Sequence, residues 1–146
     1  MNQLLFLCTA NYYRSRFSEQ YFNHHAALAG LNWRADSKAI TRHPLFEGVE
    51  GPMSPHSIQY LSEIGLEADT SRFPARVEDE HFDQYHRVIA ASRDEHYPMM
   101  QQHFPHRANG IHYFTVEDLH IYGPERALPH LVQSLDALLE ELRLAG

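Results

Sequence analysis

The sequence is nearly without cysteine and nearly without lysine. Cys8 is the single thiol in 146 residues. That excludes an internal disulfide, a cysteine-rich zinc site and any relay between thiols of the same chain. Lys38 is the one lysine; the other cations are arginines, and twelve Lys and Arg stand against nineteen Asp and Glu for a formal charge of −7. Non-specific binding to nucleic acid needs a basic face, and this balance argues against one. Long apolar runs are scarce as well. Leu4 to Leu7, the run at the start, is far too short to span a bilayer and has neither a basic leader nor a small-residue cleavage pattern. The expectation is a cytoplasmic protein that engages neither membrane nor nucleic acid. No repeat, low-complexity block or linker stands out, and 17.0 kDa predicts one domain over residues 1–146. The 43% hydrophobic share is enough to bury a core.

Histidine, by contrast, is abundant, with twelve copies. None falls in a His-Glu-x-x-His motif or in a helical His pair with a third carboxylate ligand, so each is expected to be solvated or satisfied, with no metal implied.

The apolar pattern alternates between strands and helices. Leu4 to Leu7 reads as a buried strand. From Arg14 to Ala29, the residues Phe17, Tyr21, Phe22, Ala26 and Leu28 recur at helical spacing, with Gly30 as the stop. Trp33 to Ser37 reads as a second strand. The stretch from His43 to Ser57, rich in Gly, Pro and Ser, reads as a long loop. Ser54-Pro55 opens a helix with the stripe Ile58, Leu61, Ile64, and Gly65 ends it. Val88 to Ala91 is the third strand, followed after Ser92 by a helix containing Met99, Met100 and Phe104. Ile111 to Phe114 is the fourth strand, and Leu128 to Leu144 the last helix. This alternation predicts an α/β layer fold with a mostly parallel sheet. Ligands in such sheets sit beyond the carboxyl ends of the strands, where the strand order reverses.

The loop after the first strand holds the one cysteine: Cys8-Thr9-Ala10-Asn11-Tyr12-Tyr13-Arg14-Ser15. It runs straight into a helix, whose N-terminal N–H groups and dipole favour phosphate and a nearby thiolate. Arg14 adds a planar fork matched to two phosphate oxygens. Ser15 is placed to cap the helix and to donate a hydrogen bond to the thiolate. The five residues between Cys8 and Arg14 let the loop wrap one anion, with Thr9 to Ser15 binding the phosphate.

This pattern resembles the low-molecular-weight protein tyrosine phosphatases, over nearly the whole chain. Their strand, Cys-x5-Arg-Ser loop and helix correspond to Leu7-Cys8 through Arg14-Ser15 and on to Glu19. Asn11 falls on the family's loop asparagine, which takes a left-handed conformation, and Asp36-Ser37 on an Asp-Ser pair whose serine braces it. Ser54-Pro55 through Leu61, Gly65-Leu66, Ser71, Ala75-Arg76, Phe82 and Val88-Ile89 keep the family's order and spacing. The resemblance implies a three-layer domain with a four-stranded parallel sheet in the order 2-1-3-4 and helices on both faces. It implies metal-independent hydrolysis of phosphomonoesters, phosphotyrosine in proteins above all, through a cysteinyl-phosphate on Cys8, with no cofactor. The partner implied is a phosphorylated protein or a small aryl phosphate.

The family's general acid is an aspartate in an Asp-Pro-Tyr loop after the fourth strand. Asp118 is the matching residue; Leu119 stands for the proline and one residue is inserted before Tyr122-Gly123, so Glu117 is the alternative acid. Tyr13 occupies the place of the family's second loop cysteine, and Ala10 that of a glycine. Tyr12 replaces an aliphatic residue, or the threonine of the arginine-phosphatase relatives. Tyr12 and Tyr122 are expected at the substrate pocket, with Tyr13 nearby. A family histidine aligns with Phe73 and a family aspartate with Ser92, two losses expected to weaken turnover. They motivate one alternative, a pseudoenzyme that holds a phosphorylated partner. The other is an arsenate reductase using an external thiol, since Cys8 has no partner in the chain.

Overall fold

In a computed structural model of the chain, residues 1–41, 51–116 and 123–145 are described. The strands are β1 (Asn2–Cys8), β2 (Trp33–Ala39), β3 (Arg87–Ala90) and β4 (His112–Tyr113). The helices are α1 (Arg14–Leu28), α2 (Pro55–Glu63), α3 (His81–Gln84), α4 (Arg93–His103) and α5 (Pro124–Ala145). All strand pairings are parallel and the order is β2-β1-β3-β4, as expected.

β1 is central and apolar on both sides, so its side chains feed two cores. Leu4 and Phe6 pack on one face with Phe17 and Phe22 of α1 and Leu131 and Leu135 of α5. Leu5 and Leu7 pack on the other with Ile40, Val88, Met100 of α4 and Phe104. The chain runs from β1 to one neighbour and returns to pair β3 on the other side. The loops after β1 and β3 therefore leave the sheet side by side, and Ala91 N–H bonds Leu7 O at 3.0 Å across that junction.

The helix stops are where glycine permits them. Gly30 and Gly65 follow α1 and α2 with φ of +68° and +87°, a left-handed turn that costs glycine little. Ser54 caps α2 by accepting from His56 N–H at 3.2 Å, with Pro55 in the first turn.

Several boundaries differ from the sequence reading. β2 continues to Ala39, which puts Ser37 inside the strand instead of at its end. β4 is two residues long. Helix α4 stops at His103, with Phe104 as its cap. Helix α5 starts four residues before Leu128, at Pro124, whose missing N–H is no loss in a first turn. The short α3 escaped the periodicity, because one turn presents no repeat. The part of the His43 to Ser57 loop over 43–50 lies outside the described residues, and so do Glu117, Asp118, Leu119 and Tyr122.

Candidate active site

The loop is a continuation of β1, and its carbonyls are tied to the scaffold. Cys8 O accepts from Ile40 N–H at 3.0 Å and Thr9 O from Thr41 N–H at 3.3 Å. Tyr12 O accepts from Ser54 N–H at 2.8 Å, and Tyr13 O from Phe17 N–H at 3.1 Å and the Ser57 hydroxyl at 3.1 Å. Among the described residues, the N–H groups of Thr9, Ala10 and Asn11 donate to no protein acceptor. A loop whose carbonyls are spent on the scaffold and whose N–H groups lack acceptors is built for an anion.

Asn11 sets the bend. Its φ is +53°, a region that asparagine tolerates better than other side chains. The fully buried side chain donates from Nδ2 to Ser15 Oγ and to Ser37 Oγ, each at 2.9 Å. Because Ser15 Oγ receives that proton, its own is left for Cys8 Sγ, 3.0 Å away. The expected brace by Ser37 and the expected Ser15–Cys8 contact are both present. Ser15 does not cap α1, however. It lies in the first turn, and the N-cap is Tyr13, with no side-chain capping bond.

Two cations complete the frame. Arg14, 2% exposed, opens α1 and donates from Nη1 to Val116 O and from Nη2 to Glu95 Oε2, both at 2.9 Å. Arg72 was not singled out from the sequence, yet its guanidinium reaches Asn11 Oδ1 at 3.0 Å, Glu19 Oε1 at 2.8 Å and Ser37 O and Oγ at 2.9 Å. It braces the asparagine from the position next to Phe73, whose ring is exposed and whose carbonyl accepts from Arg72 Nη1 at 3.1 Å.

Glu95 is the other residue the sequence reading missed. Its carboxylate meets Arg14, the Thr9 hydroxyl and His96. Burial pushes that carboxyl up, but the bonds from His96 and Arg14 outweigh it and hold it well below the usual carboxylate range. The signal available was Ser92-x-x-Glu95, the form of a helix capping box. Arg72 and Glu95, close in sequence to Phe73 and Ser92, bond Asn11 and Arg14 respectively.

The aromatic residues divide. The Tyr12 ring is half-buried, whereas Tyr13 is 5% exposed and packed in the core beside α1. The expectation that Tyr13 lies at the pocket for a substrate ring is therefore corrected, since burial removes it. Among the described residues no helix is long and apolar enough to cross a membrane.

The family described as low molecular weight phosphotyrosine protein phosphatase matches residues 3–138. No curated protein matches significantly. The fold is similar to that of a low molecular weight phosphotyrosine phosphatase from Vibrio cholerae O395 (17% identity, 100% of this chain and 99% of that one, TM-score 0.82). It is also similar to the YwlE arginine phosphatase of Geobacillus stearothermophilus (24% identity, 99% and 95%, TM-score 0.75). A third similar structure is Vibrio vulnificus Wzb in complex with benzylphosphonate (16% identity, 99% and 99%, TM-score 0.74).

Proposed function

The chain belongs to the low molecular weight phosphotyrosine protein phosphatase family, and from that premise we propose that it hydrolyses aryl phosphomonoesters, phosphotyrosine in proteins first among them, through a cysteinyl-phosphate on Cys8. The observation that carries this reading is the ordered contact of Asn11, Ser15 and Cys8 beneath N–H groups that lack acceptors.

In the first step Cys8 Sγ, as thiolate, attacks phosphorus and the bond to the aryl oxygen breaks. The N–H groups of the loop from Thr9 to Ser15 and the Arg14 fork stabilise the equatorial oxygens as charge shifts. Asp118 gives its proton to the leaving oxygen. In the second step water attacks phosphorus, returns a proton to Asp118 and breaks the S–P bond, and the Ser15 hydroxyl stabilises the departing thiolate. Support for Asp118 is its place in the chain. Val116, two residues earlier, is fastened by its carbonyl to Arg14. Tyr12 and Tyr122 are assigned to the wall around the substrate ring. Neither step calls on a metal.

The pseudoenzyme alternative predicts phosphate binding without turnover, and the hydrolysis assay separates it. Arsenate reduction with an external thiol stays as a separate assay. The test is hydrolysis of p-nitrophenyl phosphate by purified protein in the presence of EDTA. Turnover inhibited by vanadate, and abolished in a folded Cys8→Ser variant, is expected. A Cys8→Ser variant that keeps substantial activity contradicts the assignment. Phosphotyrosine and phosphoarginine peptides, compared by kcat/KM, decide the substrate class, with phosphotyrosine expected to be preferred.

A further inference from the structure

Ser92-Arg93-Asp94-Glu95 has the form of a capping box. In such a box the serine bonds the N–H of the third helical residue, and the glutamate there reaches back to the serine's own N–H. Half of that arrangement is present, with Ser92 Oγ accepting from Glu95 N–H at 3.3 Å. The other half has been reassigned. The Ser92 N–H donates instead to His96 Nδ1 at 3.0 Å, and the Glu95 carboxylate turns to the phosphate loop. There Oε2 accepts from Arg14 Nη2 at 2.9 Å and from the Thr9 hydroxyl.

We infer that His96 and Glu95 act together as positioning residues: His96 takes over the helix cap, which releases Glu95 to fix the Arg14 guanidinium and the Thr9 hydroxyl at the rim of the loop.

The hydrogen-bond directions are consistent with this. Accepting from Ser92 N–H makes Nδ1 the acceptor, so the neutral ring carries its proton on Nε2. That atom lies 3.1 Å from both Glu95 Oε2 and Thr9 Oγ1. Thr9 gives its proton to Glu95, and the one Nε2 proton of His96 is shared between Thr9 Oγ1 and Glu95 Oε2. Three donors thus converge on one carboxylate oxygen. His96 is fully buried, and the Arg14 and Glu95 side chains are 2% and 21% exposed, so water does not replace a lost partner readily. Glu95, held as the anion, is an anchor and not a proton donor. What the anchor supplies is preorganisation: a long arginine side chain already fixed in the plane where equatorial oxygens develop charge needs no rearrangement during the reaction.

The inference rests on the phosphatase reading above, so its test includes an arm that needs no turnover. With the full chain, kcat and KM for p-nitrophenyl phosphate are measured beside calorimetric affinities for vanadate, which mimics the five-coordinate transition state, and for inorganic phosphate. Glu95→Gln keeps the shape and removes the charge. It is expected to lower kcat by about tenfold or more and to weaken vanadate in parallel, while KM and phosphate affinity change by less than about threefold. His96→Asn retains an acceptor at the δ position but loses the Nε2 donor to Glu95, so its kcat should lie between that of wild type and that of His96→Leu. His96→Leu removes that acceptor, returns Glu95 to the cap, and should fall to the level of Glu95→Gln. Thermal unfolding of each variant checks the fold. A Glu95→Gln kcat within about twofold of wild type, equal weakening of vanadate and phosphate, or His96→Asn as damaging as His96→Leu would each overturn the inference. If the wild type binds both anions but hydrolyses nothing, the phosphatase reading fails, while the vanadate-to-phosphate comparison still decides this one.

Discussion

Asn11 concentrates the local physics of the site in one side chain. It accepts a left-handed φ of +53° and spends its amide on Ser15, Ser37, Arg72 and the Ala75 N–H. Asn11→Ala removes all four bonds and leaves Ser15 without the donor that directs its proton to sulfur. The expected result is a loss of about 1–3 kcal/mol in urea denaturation and a fall of more than about tenfold in kcat/KM. Asn11→Gly relieves the backbone but restores none of the bonds. It should therefore regain part of the stability and little of the activity. A glycine variant with wild-type kcat/KM would show that the loop needs only its bend.

At the scale of the element, the proposed acid follows Val116 in the chain. If Asp118 protonates the leaving oxygen, Asp118→Asn should slow phenyl phosphate, with a leaving-group pKa of about 10, far more than p-nitrophenyl phosphate. General acid catalysis contributes roughly 10²–10⁴-fold, which bounds the loss for the more basic leaving group. Glu117→Gln should act weakly and equally on both substrates. An exchange of these behaviours would move the acid to Glu117. Elements with a strong local signal were legible in the sequence. The apolar run of β1, the Gly30 and Gly65 stops and the Ser54-Pro55 cap each rest on a few neighbouring residues. So was the Cys8–Ser15 loop, because its chemistry is contiguous. Arg72 and Glu95 were not legible, since they enter the site from 61 and 81 residues away from Asn11 and Arg14. Only the sheet order brings their loops together. The early start of α5 was missed because its leucine stripe begins only at Leu128, whereas Pro124 opens the helix and suits a first turn.

Over the whole molecule, the two cores on either side of β1 fix the loop between layers that cannot shift independently, and ionisation adds a pH dependence to that frame. His25 is held below its ordinary 6.5 by burial and by the neighbouring His24. Its neutral form is favoured in the fold, so its contribution is present above pH 6.5 and is lost as pH falls through the lower folded value. Glu95, Asp69, Asp79, Asp83 and Glu140 are all held below their ordinary 3.8 or 4.5. Their contributions are present above those values and lost as pH falls through the depressed ones. Thermal unfolding between pH 8 and 3 is therefore expected to show a shallow decline below about pH 6.5 and a steeper one below about pH 4.5. A midpoint that rises on acidification would contradict the sign of these shifts. The central claim, that the reaction passes through sulfur, has a more direct test. Wild-type protein mixed with p-nitrophenyl phosphate is quenched in acid within its first turnovers, and its peptides are weighed by mass spectrometry. The account predicts a phosphoryl group on the peptide carrying Cys8; continued turnover with phosphate found on another residue, or with the Cys8 peptide never modified, would contradict it.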